Sequence, residues 1–446
     1  VKEPYTNGST KKAPKKVLFL THRFPYPLIG GDRIKAYHLL RHLSEIATVD
    51  VIALDEAQTC SLESVAAMSK LATARSIAFS KVKAGLRILG SLLTSTPIEF
   101  AYYNSPEMQR EVDTALANNH YDLVIAFFLR TAIYLKQPLT IPKLLVAEDA
   151  RVILQERATE HFSLSPEYIV RKIDANRLAT FEPKVMTNNS FAKVTFVATE
   201  DEKRIKQAAP NLKTAILTNG VDTEYFQFFS GPRENKLVFV GNLSVYHNKL
   251  MAERLLTKIF PALKKQFPDL KVTIVGKSPT KKLKKLVVET NGAELHADVA
   301  DTRPFLNSAK VFVHPQAVGA GIQNKLLEAM AIGVPIVTTS VGASGIQGTE
   351  HRIQAWIGDS DEALIAGTAY LLQNEQEART LALNARALVE KRYTWDRIFQ
   401  DLDEILDEIA PGFVESNKRQ SFSQPLANSN TNGAPKAEKS IGSVTV

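Results

Sequence analysis

The sequence predicts an α/β protein of two consecutive Rossmann-like halves, each with a parallel sheet, facing one another across a cleft. Three observations carry this. Short runs of Val, Ile, Leu and Phe alternate with longer amphipathic stretches, the pattern of βα units around a parallel sheet. The 446 residues suit two or three domains at ~150 residues each. A polar, turn-forming stretch over Phe229–Asn235 then interrupts the series before a strong new strand at Leu237.

The first half opens with a strand over Val17–Thr21 and continues with strands over Val49–Ala53, Leu123–Phe127, Lys143–Ala147 and Lys193–Val197. Each is a short apolar run with too little room for a helix and with turn residues near its end. The second half repeats the pattern over Leu237–Gly241, Lys271–Gly276, Lys310–His314 and Pro335–Thr339. Residues 1–15 and 412–446 are rich in Ser, Asn, Pro, Lys and Gly and hold little to bury, so disordered tails are expected there. The body divides into 16–228 and a second domain from 229. Ligands of open α/β sheets bind beyond the carboxyl ends of the strands, so the site is expected between the halves.

Composition excludes several classes. Hydrophobic residues make up 44% and charged residues 23%, the balance of a soluble globular protein. No apolar run approaches the ~18 residues that span a bilayer. Cys60 is the one cysteine, so neither an intrachain disulfide nor a zinc site with two cysteines is available. A reducing compartment fits, and the charged opening residues precede only a four-residue apolar run, unlike a secretory signal; the expected location is the cytoplasm. Of the net charge of +8, six units come from residues 1–16 and 412–446. The nearly balanced body does not suggest nucleic acid.

One segment departs from this balance. Between Glu63 and Glu99 there is no acidic residue, while Lys70, Arg75, Lys81, Lys83 and Arg87 are basic. Val82, Leu86, Ile88, Leu89, Leu92 and Leu93 form an apolar stripe flanked by Lys81, Lys83 and Arg87. Two readings stand. The stripe packs into the core with a solvated basic face, or the helix lies on an anionic membrane surface with those three cations as its contacts.

Four loops follow expected strands and offer backbone N–H groups to an anion or sugar. Gly30-Gly31-Asp32 leads into a helix, with Asp32 as the expected N-cap, and reads either as an acceptor or phosphate loop or as a plain turn. Gly241-Asn242-Leu243 starts the second half, with Lys249 nearby. Gly276-Lys-Ser-Pro279 ends the next strand, where the glycine would let a flat base approach. The fourth loop is richest: Gly319-Ala-Gly321-Ile322-Gln323-Asn324-Lys325 runs into a helix carrying Glu328. Backbone amides, helix dipole and the Lys325 ammonium then meet at one anion site. Glu328, three residues on, would accept two hydrogen bonds from a ribose diol or pair with Lys325. The third glycine and later acidic residue of a dinucleotide fingerprint are missing, which removes an NAD reading.

In this order the loops resemble the family 4 glycosyltransferases (glycosyl transferases group 1) of the GT-B fold. The resemblance covers about residues 16–408 and rests on Asn219-Gly-Val-Asp222, Gly241-x-Leu243, Gly276 with Pro279, and Gly321-x-x-x-Lys325-x-x-Glu328 through Pro335. The opening His22-Arg-Phe-Pro-Tyr-Pro and Gly31–Leu43 are similar to sugar transferases of bacterial exopolysaccharide and PEP-CTERM systems. The segment 393–411, from Tyr393-Thr-Trp395, resembles the helix that returns from the donor domain (229–392) to brace the acceptor domain. The resemblance implies retaining, metal-independent transfer from a nucleoside diphosphate sugar to a saccharide or lipid-linked saccharide, with no cofactor. It implies that Gly241, Asn242, Lys249, Gly276, Pro279, Gly319, Gly321, Ile322, Gln323, Asn324, Lys325 and Glu328 hold the donor. Asn242 stands where the family carries Arg, and Ala320 where it carries the first Glu of E-x7-E. Lys325, Glu148, Asp149 and His22 are the candidate catalytic residues; the last three would otherwise be caps or structural hydrogen-bonders. Asp359-Ser-Asp361 and Asp401-Leu-Asp403 are read as structural, with no metal site. A GT-B epimerase or hydrolase, or a catalytically silent partner subunit, is the alternative reading.

Overall fold

The computed structural model describes residues 14–56, 60–160 and 166–414. Strands β1 (Lys16–Thr21), β2 (Thr48–Asp55), β3 (Thr73–Ala78), β4 (Leu123–Phe127), β5 (Lys143–Glu148), β6 (Lys193–Phe196) and β7 (Thr214–Ile216) form one sheet, ordered β3-β2-β1-β4-β5-β6-β7. Strands β8 (Glu234–Val240), β9 (Lys271–Gly276), β10 (Ala293–Ala297), β11 (Ala309–His314), β12 (Ile336–Thr338) and β13 (Trp356–Ile357) form the other, ordered β10-β9-β8-β11-β12-β13. Every pairing is parallel. Both sheets reverse their winding beside the central strand, between β1 and β4 and between β8 and β11, which makes two switch points.

Seven helices matter below: α1 (Gly31–Ile46), α2 (Lys81–Ser91), α3 (Arg151–Glu160), α4 (Pro166–Asn188), α5 (Tyr246–Arg254), α6 (Asn324–Ile332) and α7 (Trp395–Ile409). The strand alternation splits the first core in two: Leu18 and Leu20 face one layer, Val17 and Phe19 the other. The second layer is completed from the far end of the chain. In α7, Trp395, Ile398, Phe399, Leu402, Ile405 and Leu406 recur at helical spacing and pack onto Val17, Phe19, Leu39 and Leu43. Trp395 stacks on His38 at 4.0 Å, Phe399 on His42 at 4.5 Å, and His42 Nε2 lies 2.7 Å from Asp403 Oδ1. The Thr394 hydroxyl caps the helix by accepting from Arg397 N–H.

Two tail limits shift. Phe413 and Val414 are buried in the core that α7 completes, so the fold continues past 412, and Lys15 pairs with Asp122 at 2.9 Å. The rest of both expected tails lies outside the described residues. The basic segment resolves into a helix that turns its apolar stripe outward: Leu86 is 64% exposed and Leu93, just past α2, 91%. Its cations differ. Lys81 is exposed, Lys83 pairs with Glu107 at 2.8 Å, and Arg87 donates to the Ala101 and Tyr102 carbonyls. Among the described residues no helix is long and apolar enough to cross a membrane.

Candidate active site

A cavity of about 760 Å³ opens between the halves, lined by the loops that follow β1, β4, β5 and β6 on one side and β8 to β11 on the other. On the first wall, Phe128 and Glu148, at the ends of adjacent strands, hold positive φ of 75° and 72°. Such backbone strain in non-glycine residues persists only where the surroundings enforce it, and it concentrates at functional sites. The Glu148 side chain is held by Lys35: its Oε1 lies 2.6 Å from the buried Nζ, which also donates to the Leu217 carbonyl at 2.7 Å. Burial pushes the Glu148 carboxyl up and the Lys35 ammonium down, each opposed by the other. Asp149 accepts from Arg151 at 2.9 Å through Oδ2, while its buried Oδ1 has no hydrogen-bond partner among the described residues. Arg151 also reaches Glu99, which takes Arg130 on its other oxygen. Arg23 bridges Asp32 at 3.0 Å and Glu56 at 2.9 Å.

The second wall is wired differently. Lys325 stands in the first turn of α6 and its Nζ lies 2.5 Å from Asn248 Oδ1. Among the described residues it makes no ion pair with Glu328. Burial pulls the Lys325 ammonium down to about 8 and pushes the Glu328 carboxyl up to about 7, each effect opposed by the other group's charge. Both therefore titrate near neutrality. Asn242 supplies no cation: its Oδ1 accepts from the backbone and hydroxyl of Ser244, and its carbonyl from Asn248. Lys277, after β9, also lines the cavity.

Two glycines have identifiable reasons. Gly276 lies where a Cβ would collide with the Gly241 carbonyl, so its missing side chain lets the two loops of the second wall pack together. Gly321 has φ +64°, and a Cβ there would press on Asp149 and Val197 of the opposite half. Asn324 spans the halves as well, accepting from Asn219 Nδ2 at 2.7 Å.

The cavity gathers Gly30, Gly31, Glu148, Asp149, Gly241, Asn242, Gly276, Gly321, Ile322, Asn324, Lys325 and Glu328. Five expected site residues stand apart from its lining. His22 is buried behind the first wall with Nε2 3.3 Å from Asp32, and burial lowers it to about 4, so it is neutral and packs against Tyr103 and Phe128. Lys249 lies over the Tyr246 ring, because the inward side of α5 at that turn belongs to Asn248. Pro279 stands beyond the turn at Ser278, outside the lining. Gly319 backs onto the Gln316 amide and gives its carbonyl to Arg157 of α3 at 2.6 Å. Gln323 is the buried N-cap position of α6. Asp32 is not the cap of α1; that position is Gly30, with Asp32 in the first turn. Arg23, Asn248 and Lys277 were not expected.

The Asp-x-Asp carboxylates all have structural partners: Ser340 for Asp359, Arg254 for Asp361, Arg397 for Asp401 and His42 for Asp403.

Two facing parallel Rossmann-like sheets with a cleft at the strand ends make this a GT-B fold. Sucrose-phosphate synthase from Thermosynechococcus elongatus shares it with a TM-score of 0.66 and 17% identity, over 88% of this chain and 99% of that one. Anabaena Alr3699/HepE, solved in complex with UDP, shares it with a TM-score of 0.60 and 18% identity over the same shares. Within the second half, residues 234–374 match the family model of glycosyl transferases group 1. Curated relatives include the "Uncharacterized 44.6 kDa protein in cps region" of Klebsiella pneumoniae, 27% identical over 173 residues, 37% of this chain and 44% of that protein. The amylovoran biosynthesis glycosyltransferase AmsK of Erwinia amylovora is 30% identical over 163 residues, 33% of this chain and 39% of that protein. The chain thus matches less than half the length of these two relatives.

Proposed function

We propose that this chain transfers a sugar, with retention and without a metal ion, from a nucleoside diphosphate sugar to a saccharide or lipid-linked saccharide in surface polysaccharide biosynthesis. The observation that carries the reading is Lys325: a half-buried ammonium at a helix N-terminus, in the interdomain cleft, with no carboxylate paired to it among the described residues. A departing diphosphate needs that arrangement, since leaving-group charge is stabilised most by preorganised cations and amides in a site shielded from water. Lys277 supplies a second cation where Asn242 does not, and Glu328 accepts the ribose hydroxyls. Glu148 and Asp149 face the transferred sugar and the acceptor from the opposite wall. The names of the Erwinia and Klebsiella relatives support the polysaccharide context, and the Anabaena structures with UDP and UDP-glucose support the donor class. For a lipid-linked acceptor we place the chain at the cytoplasmic face of the membrane, held peripherally by the exposed stripe of α2.

Calorimetric titration with UDP, followed by measured release of a nucleoside diphosphate when a lipid-linked acceptor is added, tests the reading. Binding with acceptor-dependent release is expected. Ala320 and Asn242 favour one second reading, a silent partner subunit, which predicts binding without release. Release without acceptor would point to a hydrolase.

A further inference from the structure

A second cavity, of about 670 Å³, lies on the first half, away from the catalytic cleft and sharing none of its lining residues. Its size falls in the range of small-molecule sites. The floor is apolar: Phe100, Ile133, Phe181 and Val185, with Phe100 and Phe181 in ring contact at 4.6 Å. Among the described residues its charged lining side chains, Lys136, Arg177 and Lys184, are all cations, and none of the lining is acidic. The cavity adjoins the exposed stripe. Arg177 NH1 donates to the Ser91 and Thr96 carbonyls and its NH2 to that of Leu92, which fastens the C-terminal end of α2 to the wall that α4 supplies. Ile173, half-exposed one turn before Arg177, lines the cavity too.

We infer that this cavity takes one hydrocarbon chain of an anionic membrane lipid, with the headgroup held by Lys136, Arg177 and Lys184. The occupant follows from chemistry. An apolar floor wants a chain, and a cationic rim without any carboxylate wants an anionic head. The segments 1–13 and 415–446 each hold more Lys and Arg than Asp and Glu, so neither is complementary to that rim. Exposed Leu86, Leu89 and Leu93 on the adjoining face bring the bilayer to the cavity mouth. The inference rests on the membrane reading given above and deepens it, from a surface that touches the membrane to one that draws a lipid partly out of it.

The full chain is tested with two reporters that each add one tryptophan, Leu86→Trp on the exposed stripe and Phe181→Trp on the cavity floor. Phosphatidylglycerol vesicles with brominated acyl chains quench a tryptophan only where a chain reaches it; the signal of Trp356 and Trp395 is subtracted using the unaltered protein. The expected result is co-sedimentation with the vesicles and loss of most of the added emission in both reporters. Cavity quenching should be lost in a Lys136→Glu, Lys184→Glu background. Should Phe181→Trp fail to fold, Val185→Trp replaces it. Co-sedimentation with quenching at Leu86→Trp alone overturns the cavity assignment and leaves the surface reading standing. No co-sedimentation at low salt overturns both. Cavity quenching that persists in the double-Glu background overturns the headgroup assignment.

Discussion

The two walls of the interdomain cleft handle charge in opposite ways. On the first wall the charges facing the cavity are matched: Lys35 with Glu148, Arg151 with Asp149 and Glu99, Arg23 with Asp32 and Glu56. On the second, Lys325 and Glu328 share one partly buried helix face and, among the described residues, do not pair; loss of solvent draws both toward neutrality. A matched wall is a fixed shape whose electrostatics are spent within the protein. A wall with unmatched charges is completed by its ligand. On the proposed function, the contrast corresponds to positioning by the first half and binding of an ionic, hydroxylated ligand by the second.

The sharpest break falls on the matched side. Lys35→Ala leaves the Glu148 carboxylate buried without a counter-ion, which should destabilise the first half by ~3–5 kcal/mol in denaturant unfolding. Combining Lys35→Met with Glu148→Gln should recover most of that loss. Equal instability of single and double variants would mean that Lys35 matters for its bond to Leu217 and not for Glu148.

On the unmatched side the expected effect is on turnover and not on folding. Lys325→Ala should slow turnover by ~3–4 kcal/mol in barrier, the scale of one lost transition-state donor, with an unchanged unfolding midpoint. Glu328→Gln should weaken nucleoside and nucleoside diphosphate alike by ~1–3 kcal/mol, since a ribose contact does not depend on phosphate. A loss confined to the diphosphate would move Glu328 to another role.

The pH dependence follows from the same pair. Glu328 accepts hydroxyl donors best when ionised, above about 7, and Lys325 is charged below about 8. Affinity for UDP should therefore peak between those values, falling on the acid side as Glu328 takes up a proton and on the alkaline side as Lys325 loses one. Lys325→Ala should abolish the alkaline limb and Glu328→Gln the acid limb, read by titration calorimetry across pH. The smallest effect on stability belongs to Asn242, whose Oδ1 closes the turn to Ser244: Asn242→Ala should cost ~1 kcal/mol or less in stability.

How much of this was legible follows from burial. The nine expected strands are all present, and the four unforeseen ones, β3, β7, β10 and β13, are the four sheet edges. Interior parallel strands are covered on both faces and read as apolar runs; edge strands such as Thr73–Ala78 are half exposed and do not. In the site, the glycine loop, Lys325 and Glu328 were readable because one helix start orders them. Lys249 was chosen for its charge, whereas the spacing of Asn248, Ala252 and Leu255, all buried, marks Asn248 as the inward residue. Arg23 and the Lys35–Glu148 pair were invisible because their partners are brought together only by the sheet. The outward turn of α2 was one of two readings open to a sequence whose stripe is equally apolar either way.

Whether Lys325 waits for phosphate is read from calorimetric affinities of UDP and of uridine for the unaltered chain and for Lys325→Ala. The expected result is UDP weakened by roughly ten- to a hundredfold, as for the loss of a charged hydrogen bond of ~1.5–3 kcal/mol, with uridine unchanged. Equal losses for both ligands, or no loss for UDP, would contradict it.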